Sequence, residues 1–132
     1  MKKEKAVKTA AQWWADKLRK HEPHSNGAND RANVMAMLFA DMLTVPVSED
    51  LLDKFAGFLE EEIAMVLNRR PMCALDCDYA PCPELANAAK RAIIPTHNFP
   101  YKTSMVIRAN GPDNYIVEVS DGYAQPYVEV KE

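Results

Sequence analysis

A chain of 132 residues with 48% hydrophobic and 27% charged side chains has the usage of a globular protein and is read as a single α+β domain spanning 1–132. The formal charge of -3, from 16 Lys and Arg against 19 Asp and Glu, excludes a strongly basic nucleic-acid binder, because affinity for phosphate backbones needs clustered cations. No apolar run reaches the roughly 18–20 residues of a membrane span. The basic start, Met1 to Lys5, leads into Gln12, Asp16, Lys17 and Arg19 and not into an apolar export segment, so the expected location is the cytoplasm.

A first helix is predicted from about Glu4 to Lys20, since Val7, Ala10, Ala11, Trp14 and Leu18 repeat on one helical face. Trp13 stands off that stripe, either as a flank of the core or as a contact for a ligand or partner. A loop from Pro23 to Asp30 precedes a second predicted helix, Asp30 to Leu43, apolar over most of its circumference. Ser48 caps a third helix, with Leu51, Leu52, Phe55, Phe58, Leu59, Ile63, Val66 and Leu67 as its stripe. Glu60, Glu61 and Glu62 diverge by ~100° per position and form no shared acidic site.

The period then changes. Met72 to Tyr79 alternates, with Cys73, Leu75, Cys77 and Tyr79 on one side and Ala74, Asp76 and Asp78 on the other, as in a half-buried strand. Pro83 opens a fourth helix whose Leu85, Ala88, Ala89, Ala92 and Ile93 share a face. The remainder reads as an antiparallel meander: strands Lys102 to Arg108, Tyr115 to Ser120 and Tyr123 to Lys131. Its turns are Asn110 to Asn114 and the dipeptide Asp121-Gly122. Pro126 demotes the last strand to an edge. The expected fold is three N-terminal helices, then strand, helix and a three-stranded antiparallel meander, with the helices packed on one sheet face.

No nucleophile elbow, Walker loop, HExxH or Rossmann glycine pattern is present. The three cysteines, Cys73, Cys77 and Cys82, have no second ligand pair. On a strand, Cys73 and Cys77 stand about 13 Å apart at ~3.3 Å per residue, too far to share a zinc ion. Neither metal nor cofactor is therefore expected. A nucleophile triad of Cys77 or Cys82 with His97 and an aspartate can be written down, but any chain of this size supplies those residue types by chance. As an enzyme, the chain would rely on Asp76, Asp78, His97 and Lys102 to hydrolyse a nucleotide or a cyclic-dinucleotide-like phosphate compound. An anion-binding constellation is the other candidate. Asn26 and Gly27 run into a helix start bearing Arg31, while Tyr101, Lys102 and Thr103 supply an aromatic ring, a cation and a hydroxyl. A phosphate would sit on the helix start and a base on Tyr101 or Trp13. Simple capping and turn chemistry explains the same residues.

Phe99-Pro100-Tyr101-Lys102-Thr103 and Gly122-Tyr123-Ala124-Gln125-Pro126, with Trp13-Trp14-Ala15-Asp16 and Asp78-Tyr79, resemble a group of small uncharacterised accessory proteins of phages, prophages and mobile elements from gut bacteria. The likeness covers most of the chain, and the cysteines are not part of it. It implies a counter-defence product working by binding in the host cell cytoplasm, as an inhibitor of a host defence protein or a sink for a nucleotide-like signal. The partners expected are therefore a host defence protein, a small nucleotide-like ligand or a second copy in a homo-oligomer, with no membrane and no strong nucleic-acid binding.

Overall fold

A computed structural model of the chain describes residues 1–19, 47–122 and 125–131. Helix α1 (Lys3–Arg19) and helix α2 (Glu49–Leu67) lead into strand β1 (Met72–Cys77) and helix α3 (Pro83–Arg91). A short 3-10 turn (Thr96–Asn98) then precedes β2 (Thr103–Ala109), β3 (Tyr115–Ser120) and β4 (Val128–Glu129). Among the described residues this is three helices and a four-stranded antiparallel sheet in the order β1-β2-β3-β4. The second predicted helix, Asp30 to Leu43, lies outside the described residues. The meander expected to have three strands has β1 as a fourth, paired along β2 from Met72↔Arg108 to Cys77↔Thr103.

Helix α1 forms where its apolar period predicts, burying Ala6, Val7, Ala10, Ala11, Trp14, Ala15 and Leu18. It runs antiparallel to α2. At one end the Arg19 guanidinium donates to both carboxylate oxygens of Glu49, at 2.7 and 2.8 Å. At the other, Lys3 Nζ donates to Asn68 Oδ1 at 2.7 Å. Ser48 caps α2 by accepting from the Leu51 amide at 3.3 Å, satisfying one of the orphan donors of the first turn.

The alternation in β1 is that of a strand with one face on the core: Cys73, Leu75 and Cys77 are buried, while Met72, Ala74 and Asp76 are exposed. Thr103, Met105 and Ile107 of β2 and Val117 and Val119 of β3 continue the buried face, which α1 and α2 cover. At its centre, Phe99 meets Trp14 and Phe55 at ring-centroid separations of 6.1 and 5.8 Å, tilted geometries that aromatic quadrupoles favour.

Four local expectations are corrected. Tyr79 is not on the buried side of β1; the strand stops at Cys77, and Tyr79 is 71% exposed. Ile93 is not on the buried face of α3, because that helix ends at Arg91. Its amide and that of Ile94 instead donate to Lys90 O and Ala89 O at 3.2 and 2.8 Å. This end motif puts Ile93 at φ 59, the left-handed position that glycine usually takes. Asp121-Gly122 is not a two-residue hairpin. Val119 pairs with Val128, a register that a tight turn at those residues cannot produce, and Ser120 Oγ lies 3.1 Å from Gly122 O and 3.0 Å from Gln125 O. Among the described residues the last strand covers Val128–Glu129, shorter than the expected Tyr123 to Lys131, of which Tyr123 and Ala124 lie outside the described residues.

Candidate functional site

The face of α1 opposite its core stripe carries Lys5, Lys8, Thr9, Gln12, Trp13 and Asp16, the spacing of one helical surface over three turns. These side chains form the floor of an open trough of ≈ 530 Å³. Ala56 and Glu60 of α2 contribute to its lining, as do Val130 and Lys131 just beyond β4. The Val130 amide donates to Val117 O at 2.7 Å, which holds the chain after β4 against the sheet.

Trp13 is the aromatic of this trough. It is half-buried and meets Trp14 edge-on, with ring centroids 5.0 Å apart and planes at 82°. Lys17, one turn further along α1, places its ammonium 5.0 Å from the Trp13 ring centroid and 3.9 Å from Asp121 Oδ2. The carboxylate of Asp16 is engaged by Arg19 and by Gln12 Nε2, the latter at 3.1 Å. The lining holds three lysines, Lys5, Lys8 and Lys131, against two carboxylates, Asp16 and Glu60, so the trough has a slight cationic bias in a chain whose net charge is -3. Such a surface suits a ligand with an anionic group and a flat ring.

Tyr101, Lys102 and Thr103 do not line the trough; they gather at the end of the β1–β2 pair. The Lys102 amide donates to Asp78 O at 3.1 Å, and Thr103 Oγ1 donates to Tyr101 O at 3.2 Å. Tyr101 and Tyr79 approach to 6.5 Å between ring centroids. Asp76 stands on the outer face of β1, opposite Ser104. Asp78, Lys102 and Asp76 thus share one end of the sheet, and His97 belongs to the 3-10 turn that leads there. Asn26, Gly27 and Arg31 lie outside the described residues. The residues suggested for one nucleotide clasp are consequently divided, with Trp13 in the trough and Tyr101, Lys102 and Thr103 at the sheet end.

Cys73 and Cys77 are buried on the inner face of β1, and burial pushes each thiol up to about 12. Cys82, at the start of α3, is also raised, first by desolvation. Thiols held protonated in this way are poor nucleophiles. Among the described residues no group of three or more His, Cys, Asp or Glu side chains is arranged to hold a metal ion, and no helix is long and apolar enough to cross a membrane.

What singles out the trough, and what sequence reasoning missed, is the contribution of Lys5, Lys8, Gln12 and Lys131, with Lys17 approaching the Trp13 ring beside it. The signal was present in part: Lys5, Lys8 and Gln12 share the helical face of Trp13. The role of Lys131 depends on where the chain after β4 lies.

Fold and site together define an α+β protein, with helices layered on one face of an antiparallel sheet and an aromatic, cation-lined trough along α1. No protein-family pattern, curated protein or solved structure matches the chain.

Proposed function

We propose that this is a binding protein of the phage or mobile-element accessory type, acting in counter-defence by sequestering a small anionic, nucleotide-like signal in the α1 trough. The observation that carries this reading is Trp13, a half-buried aromatic set among Lys5, Lys8, Lys17 and Lys131. Bases of any identity have a π-face, so stacking on Trp13 supplies affinity with little sequence demand, and the lysines supply the attraction for phosphate. The trough is open along three turns of α1, so a host defence protein presenting an acidic segment is the alternative occupant.

The test is calorimetric titration of the full chain with nucleoside monophosphates, cyclic mononucleotides and cyclic dinucleotides, with tryptophan emission followed in parallel. Trp14 is fully buried, so quenching by a stacked ligand reports Trp13. Binding that Trp13→Ala weakens at least tenfold supports the proposal. No heat and no quenching with any of these compounds removes it. Turnover of a bound cyclic dinucleotide, lost in Asp78→Ala, would instead establish the hydrolase alternative at the end of the β1–β2 pair.

A further inference from the structure

We propose that Lys17 makes the Trp13 trough demand an anionic group of its ligand: its ammonium occupies the Trp13 ring, held there by Asp121, and gives up that place only to an anion. The inference rests on the trough reading above and names the residue that sets its selectivity.

The Lys17 ammonium is 5.0 Å from the Trp13 ring centroid and 3.9 Å from Asp121 Oδ2, so one cation serves both partners. Asp121 is itself well placed. It follows Ser120, whose hydroxyl lies 3.1 and 3.0 Å from Gly122 O and Gln125 O, and the Gln125 amide donates to Gly122 O at 3.3 Å. Trp14 abuts the Trp13 ring edge-on from the core side, which limits rotation of the ring away from Lys17. A neutral flat ring entering the trough must displace the cation from the aromatic surface and offers it no new partner. A phosphorylated ring offers the displaced ammonium a charge-assisted hydrogen bond. The Lys17 side chain is 37% exposed, which leaves it room to make that move. The chemistry selected is therefore a phosphate or comparable anion carried on a flat heterocycle, and discrimination against the unphosphorylated ring lies in Lys17.

The experiment compares AMP with adenosine by calorimetry on the full chain and on Lys17→Met, Trp13→Ala and Lys54→Met, each checked for native circular dichroism. The unaltered protein should bind AMP at least tenfold tighter than adenosine. Lys17→Met should cut that preference to threefold or less, weakening AMP and strengthening adenosine. Lys54→Met, exposed on α2 and outside the trough, should change neither, which separates the effect of position from that of net charge. A preference that survives Lys17→Met, or one lost equally in Lys54→Met, overturns the role of Lys17 while leaving the trough reading in place. Binding of neither compound overturns the role of Lys17; silence toward the cyclic nucleotides as well, or binding indifferent to Trp13→Ala, overturns both.

Discussion

Trp13 and Trp14 are neighbours in the chain, one aromatic beside another, and the fold gives them opposite environments. Trp14 is fully buried against Phe99, with Phe55 beyond it, and its indole Nε1–H has no hydrogen-bond acceptor among the described residues. Trp13 stays half-buried at the rim, with Lys17 over its ring and cationic side chains around it. A helix turns ~100° per residue, and the buried stripe of α1 takes in Trp14 together with Ala15, which leaves Trp13 beyond its edge. Packing encloses one ring completely, while the other packs against the core in part and also lines the trough.

The largest expected effect comes from breaking the buried side of that pair. Trp14→Ala should destabilise the protein by ~3–5 kcal/mol through lost burial and the cavity left beneath Phe99, read as a fall in the urea midpoint. A small shift would show that the core does not depend on this ring. The thiols sharpen the contrast next. Cys73 and Cys77 should resist iodoacetamide at pH 8 in the native state and label rapidly once denatured, by at least about tenfold in rate. The linkage has a definite sign. Because burial raises these groups from 9.0 to about 12, the stability tied to keeping them protonated is fully present below pH 9 and declines as pH rises toward 12. Alkaline denaturation should therefore be eased by this window, and replacing both cysteines with Ala should flatten the pH dependence there.

Ile93 tests the exposed side. It is 83% exposed at φ 59, a left-handed conformation that disfavours β-branched residues, so Ile93→Gly should stabilise the fold by about 1 kcal/mol and raise the melting temperature. Trp13→Ala should cost clearly less stability than Trp14→Ala, about 2 kcal/mol, alongside loss of ligand binding. A stability loss matching that of Trp14→Ala would mean that Trp13 serves packing, and the division between the two rings would fall.

Much of the fold was legible because its signals are periodic and local. Val7, Ala10, Ala11, Trp14 and Leu18 predict the buried face of α1, and Cys73, Leu75 and Cys77 that of β1. Ser48 marks the start of α2 through one side-chain oxygen, and β3 falls on Tyr115–Ser120 as its pattern predicts. The failures are equally local. Asp121-Gly122 has a strong hairpin signature, yet Val119 pairs with Val128, because pairing along β3 and the Ser120 contacts outweigh a dipeptide preference. Ile93 continues the apolar spacing of α3, but the helix ends before it and the chain reverses.

The site was legible only in fragments. Trp13 stands out by its offset from the stripe, whereas the assignment of Tyr101, Lys102 and Thr103 to the same clasp rested on residue type alone, and the fold places them at the other end of the β1–β2 pair from Met72. Asp78 and Lys102 do meet, through backbone groups that no side-chain motif encodes.

Order along the chain thus determined by itself which faces are apolar, where α1, α2 and α3 begin and which strands alternate, since these follow from backbone geometry repeating over a few residues. Only the tertiary structure decided that β1 joins the meander, that Lys131 comes to line the trough with Trp13, and that Asp121 comes within 3.9 Å of Lys17. The last two join residues more than a hundred positions apart, and all three are set by how helices and sheet share one buried surface, which no local pattern records.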